Sequence, residues 1–149
     1  MRSNPSYWGQ AAAGILFTCE DQILLALRSE SVSKPNLWGI PGGSVSGEGY
    51  FDSENTRVLN LDQETVWKGA QKEVIEELGS MPRDYIVTNT LLFKDGSFTY
   101  TTFLVDIDPK IRKSWELRLN WENKEARWFQ LDKLPPNLHP GLYSVLFDS

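Results

Sequence analysis

Three glutamates, Glu73, Glu76 and Glu77, stand close together in the stretch ETVWKGAQKEVIEELGSM, which begins at Glu64. On an α-helix, at about 100° per residue, they share one side within roughly 100° of arc. Like charges three and four residues apart repel. These also fall in the last two turns, where the negative end of the helix dipole disfavours anions. A cation reverses the sign of both penalties. Oxygen-only ligands favour a hard ion, Mg²⁺ or Mn²⁺, over Zn²⁺. An isolated ExxEE is more often a plain solvated acidic face, so the surrounding spacing decides.

The helix that must carry these groups is legible. Trp67, Ala70, Val74 and Leu78 follow the i, i+3, i+4 spacing of a core-facing stripe. Asp62 is a plausible N-cap, Gly79 a C-cap, and Pro82 forbids an early restart. With Glu64 and Lys72 included, the run reads E-x7-K-E-V-I-E-E-L-G. It closely resembles the Nudix box, whose pattern is G-x5-E-x7-R-E-U-x-E-E-x-G-U, U being apolar. Upstream, Trp38-Gly39-Ile40-Pro41-Gly42-Gly43 looks like the W-G-x-P-G-G that leads into the box in many members.

The resemblance has three departures. Lys72 replaces arginine, Ser80 precedes Met81 where one apolar residue would follow the glycine, and 20 residues (44–63) separate Gly43 from Glu64 where the pattern has five. The box residues that carry chemistry, Gly43, Glu64, Glu73, Glu76 and Glu77, remain. Lysine keeps the charge of arginine without its planar fork, so the neighbouring carboxylates are held less firmly and reduced activity is expected.

The resemblance implies one α/β domain over residues 1–149, an α/β/α sandwich with a mixed sheet. It also implies metal-dependent hydrolysis of a diphosphate linkage in a nucleoside diphosphate-X substrate, by attack of water on phosphorus. Mg²⁺ (or Mn²⁺) would be held by Glu73, Glu76 and Glu77 and a carbonyl of Gly42 or Gly43. The general base varies within the family, and Glu76 and Glu122 are the candidates. Glu122 and Glu125 both precede Trp128-Phe129 in a segment similar to the tail of the family fold. Glu122 is preferred as the extra carboxylate toward the metal. Arg28, at a strand end, would face substrate phosphates; a surface salt bridge is the alternative.

The rest of the chain reads as strands and turns around that helix. Residues 11–18 and 22–28 are apolar runs parted by Cys19-Glu20-Asp21, the pattern of a β-hairpin. The near-continuous apolarity of ILLALR predicts a second strand covered on both faces. Residues 29–36 form a polar loop. Residues 44–61 read as an exposed excursion, rich in Gly, Ser, Asn and Asp, with Tyr50-Phe51 able to stack on a base and Arg57 able to meet phosphate. Residues 85–93 and 97–107 are strands around a turn at Lys94-Asp95-Gly96. Residues 110–120 fit a helical turn, a broken strand or a loop equally. Residues 121–131 end in a strand, and 139–147 form a short closing helix. His139, the sole histidine, reads as a cap or surface residue rather than a base.

Composition bounds the partners. A net charge of −5 argues against a broad nucleic-acid footprint. That weighs against an RNA 5′-end pyrophosphohydrolase, one alternative, and leaves a small-molecule nucleotide as the expected substrate. A non-catalytic nucleotide-binding or sensor domain is the other alternative, disfavoured because the box carboxylates are intact. The single Cys19 reads as an inert strand-end residue and gives no internal disulfide. No apolar run approaches a membrane span. A cytoplasmic location is expected.

Overall fold

A computed structural model of the chain describes residues 11–45, 49–51, 57–59, 63–95 and 98–147. In chain order the elements are β1 (Ala11–Cys19), β2 (Gln22–Arg28), β3 (Trp38–Gly39), β4 (Gly42–Ser44), β5 (Gly49–Phe51), β6 (Arg57–Leu59) and α1 (Gln63–Leu78). These are followed by β7 (Ile86–Asp95), β8 (Phe98–Asp106), α2 (Pro109–Ser114), β9 (Asn123–Gln130) and α3 (Pro140–Phe147).

Seven strands form one mixed sheet, in the order β3-β2-β1-β8-β7, with β4 paired to β1 and β9 to β2. β1 and β8 run parallel from Ala11↔Thr99 to Thr18↔Asp106, and the other pairs are antiparallel. The alternation along β1 sorts the core. Ala13, Ile15 and Phe17 face one side with Val66, Ala70, Val74 and Leu78 of α1 and Ile111 of α2. Leu16 faces the other side with Ile23, Leu25, Trp38 and Leu142 of α3. The result is the expected α/β/α sandwich. β2 contributes Leu24 to one core and Leu25 to the other, so its unbroken apolar run does reflect two covered faces.

Ring contacts tie the layers together. Trp67 meets Phe103 edge-on with ring centroids 4.9 Å apart, and Trp38 meets Phe129 at 4.8 Å. α1 ends as its sequence predicts: Gly79 takes φ +95° and its N–H donates to the Ile75 carbonyl at 3.0 Å. Its apolar stripe extends one residue earlier than the spacing suggested, to Val66. Asp62, expected to cap the other end, lies outside the described residues.

Three segments differ from or complete the sequence reading. The excursion after Gly43 contains a two-stranded sheet of β5 and β6, Tyr50 opposite Val58, where β-prone residues flank a polar stretch. Residues 110–120 resolve into α2, capped by Asp108 accepting from the Lys110 N–H at 2.8 Å with Pro109 in the first turn, and then irregular chain. The strand β7 continues through Lys94 and Asp95, which the turn signal had placed beyond it. Cys19 is buried, and burial pushes its thiol pKa up, as suits an inert position.

Candidate functional site

The site forms where β4, α1 and the start of β9 meet. β4 pairs with β1 through Gly14↔Gly42 and Ala13↔Gly43. Ile15 donates to the Pro41 carbonyl and Val45 to the Ala11 carbonyl. Antiparallel alternation therefore makes Gly43 a hydrogen-bonded partner of β1 and turns both polar groups of Gly42 away from it. The Gly42 N–H donates to Glu77 Oε2 at 3.0 Å. Between the two glycines proposed from sequence as carbonyl ligands, this geometry favours Gly42.

Gly43 serves the site differently. A Cβ there would overlap the Glu73 carboxylate, so only glycine lets that side chain lie against the backbone. Glu77 is buried, 4% exposed, and its second oxygen accepts from Asn123 Nδ2 at 2.8 Å. Burial pushes its pKa up to about 7, against the lowering effect of those two hydrogen bonds, with Glu122 and Glu73 adding to the rise. The Glu73 pKa is also raised, by burial first and then by Glu76 and Glu122. Four carboxylates from α1 and the β9 approach thus act on one another.

Glu122 sits one residue before β9. Its carboxylate accepts from Asn120 Nδ2 at 3.2 Å and its N–H donates to Asn120 Oδ1 at 3.0 Å. Glu125, the alternative, pairs instead with Arg127 on the strand. Lys72 lies 3.9 Å from Glu76 Oε1 with both side chains largely exposed, a loose one-point contact. Glu64 is exposed and pairs with Lys68 at 3.1 Å, so the structure does not bring it to the other carboxylates.

A cavity of about 620 Å³ opens beside the glycines and shares them as lining. Arg28 stands at it, and among the described residues it makes no salt bridge. Its Nε donates to the Ser33 and Lys34 carbonyls at 3.0 and 3.2 Å, and Nη2 to the Ser33 carbonyl at 2.7 Å. Tyr50 and Phe51 are on β5, and the stacking expected of their rings, like the phosphate contact expected of Arg57, lies outside what is described.

Sequence reasoning missed Asn123 and Tyr100. Asn123 is buried on β9 directly after Glu122, and an amide at the entry of a strand opposite a buried acid was the available signal. Tyr100 lines the cavity from β8, and burial with the Glu77 and Glu73 carboxylates pushes its phenol up to about 12, so it stays protonated.

Among the described residues, no three or more His, Cys, Asp or Glu side chains are gathered closely enough, as they stand, to hold a metal ion. The donor set nevertheless fits a hard divalent cation. Every donor is oxygen, the charges repel, and desolvation raises two of the acids, all of which a bound cation would relieve. Glu73, Glu76, Glu77 and Glu122 with the Gly42 carbonyl are the groups that would have to close on such an ion.

A family model for the NUDIX domain matches residues 8–148. The chain belongs to the NUDIX family. It is by that membership a Nudix-type pyrophosphohydrolase. Solved structures share the Nudix fold at low identity. A Nudix hydrolase of M. smegmatis, RenU, is similar with a TM-score of 0.66 and 22% identity, over 93% of this chain and 81% of that one. The MutT NUDIX hydrolase of Burkholderia pseudomallei has a TM-score of 0.61 and 21% identity, over 92% and 95%. A C. elegans Ap4A hydrolase has a TM-score of 0.59 and 18% identity, over 92% and 93%. No curated protein matches this Nudix chain by sequence. Among the described residues, no helix is long and apolar enough to cross a membrane.

Proposed function

We propose that this Nudix protein hydrolyses a diphosphate linkage in a small nucleoside diphosphate-X substrate, with Mg²⁺ as its cation. The observation that carries the reading is the meeting of the α1 carboxylates with the Gly42–Gly43 backbone at the mouth of the cavity. A divalent cation supplies charge neutralisation on the phosphate oxygens and acidifies bound water.

The chain's own groups divide the remaining work. Glu77, gripped by the Gly42 N–H and Asn123, is a fixed anchor, each of its oxygens accepting one hydrogen bond and keeping further acceptor capacity. Glu73 is positioned against Gly43. Glu76 and Glu122 have no hydrogen bond to the β4 backbone among the described residues, which supports them as the candidates to accept the proton of the attacking water. Lys72 keeps Glu76 company without orienting it tightly. Arg28, braced by its own loop, offers positive charge to the part of the substrate that enters the cavity.

The test is phosphate and pyrophosphate release across nucleoside triphosphates, dinucleoside polyphosphates, ADP-ribose and nucleotide sugars, with Mg²⁺ and with a chelator. Metal-dependent release from one class is expected. Binding without turnover of any of them would contradict the hydrolytic reading.

A further inference from the structure

The cavity has a chemical polarity that the phosphate site does not explain. Its walls are apolar, formed by Ile40, Leu91, Phe98, Leu142 and Val145. Among the described residues no Asp or Glu lines it; the charged or ring-nitrogen side chains there are Arg28 and His139, and Tyr100 and Thr102 add hydroxyls. A cavity of about 620 Å³ lies within the range of about 300–1,000 Å³ typical of small-ligand sites. Apolar walls suit the faces of a flat ring, and the few polar groups decide which edge it presents.

His139 has a fixed hydrogen-bonding sense. It precedes α3, and its Nδ1 accepts from the Gly141 N–H at 3.1 Å. Its own N–H donates to the Trp38 carbonyl at 2.7 Å, and its carbonyl accepts from Tyr143, so the residue is held on both sides. With Nδ1 used as an acceptor, the proton of the neutral ring resides on Nε2. Burial, Arg28 and Lys34 all lower the His139 pKa, which keeps the ring neutral. At Arg28, Nε and Nη2 are committed to loop carbonyls, leaving Nη1 as the donor nitrogen without a hydrogen bond among the described residues.

We infer that His139 is a specificity-determining residue, whose Nε2–H, with Arg28, reads an acceptor edge on a nucleobase seated in the cavity and so prefers oxo bases to amino bases. The inference rests on the proposed nucleotide substrate and deepens it. On the edge that carries O6 and N7 of guanine or O4 of uracil, only acceptors face these donors, whereas the same edge of adenine or cytosine carries the exocyclic amine. An exocyclic amine brought to the same edge meets donors, and is left buried without a partner.

Two variants separate reading from capping. In His139→Asn the amide oxygen occupies the Nδ1 position, retaining the cap on Gly141, and the Nε2 donor is gone. In His139→Gln the amide nitrogen reaches the Nε2 position, and the cap is lost. Dissociation constants of GDP, UDP, ADP and CDP are measured by calorimetry in Mg²⁺ for the three proteins, with thermal melts alongside. The wild type is expected to bind GDP and UDP about tenfold more tightly than ADP and CDP, the scale of one or two hydrogen bonds. His139→Asn should lose that preference at unchanged melting temperature, and His139→Gln should keep it while melting lower. Equal affinities in the wild type, or a preference that survives in His139→Asn, would overturn the inference. Because binding is read without turnover, a preference without hydrolysis would sink the hydrolytic reading alone.

Discussion

Glu77 and Asn123, 46 positions apart in sequence, meet in the interior with Nδ2 2.8 Å from Oε1. The contact joins the last turn of α1 to the first residue of β9. It fixes one carboxylate of the site to the sheet, so that the helix cannot rotate without breaking a buried hydrogen bond.

Replacing Asn123 with Ala should therefore cost about 1–3 kcal/mol, the penalty for leaving a buried acceptor without its partner. Chemical denaturation measures the loss. Metal affinity should fall with it, because the freed carboxylate has more rotamers to lose on binding. Unchanged stability and metal affinity would show that Glu77 is positioned by α1 and Gly42 alone.

The pH dependence of the metal-free protein follows from Glu77. Its folded pKa, about 7, lies above the ordinary 4.5, so folding favours the protonated acid. That contribution is fully present below 4.5 and is lost as pH rises through about 7. The shift corresponds to about 3 kcal/mol. With a chelator, the melting temperature should fall between about pH 5 and about pH 8, and Mg²⁺ should recover more of it at the higher pH. An equal effect of Mg²⁺ at both would contradict the assignment of Glu77 to the cation.

Lys72 stands 3.9 Å from Glu76 through one nitrogen. Lys72→Arg supplies a planar fork able to hold that carboxylate at two points. We expect kcat to rise, about fivefold for one better-made hydrogen bond, with little change in stability because both side chains are exposed. A kcat that is unchanged or lower would show that the looser contact does not limit the reaction.

Much of the fold was open to reading because local patterns and tertiary structure agree. The apolar stripe of α1, its Gly79 stop and the two-faced apolarity of β2 each follow from period and burial. The candidate site was legible as a grouping where spacing along one helix carries it, since Glu73, Glu76 and Glu77 all lie on α1. Glu122 was distinguished from Glu125 only weakly, since strand register decides which of them nears the helix, and register is a property of pairing rather than of sequence. Asn123 and Tyr100 escaped for the same reason. Each reaches the site through a long-range pairing, β9 on β2 or β8 on β1, that no short window contains. Glu64 shows the converse, a residue that matches the pattern yet turns to Lys68 at the surface.

The most direct test compares Mg²⁺-dependent turnover of wild type and Glu76→Gln on the best substrate of the panel. The Glu76 side chain is about half exposed, so the amide should leave the fold intact, and thermal melts check this. If Glu76 binds the cation or takes the proton of water, kcat should fall by about a hundredfold or more while nucleotide still binds. Turnover within about twofold of wild type at the same Mg²⁺ would contradict a hydrolytic centre built on the α1 carboxylates.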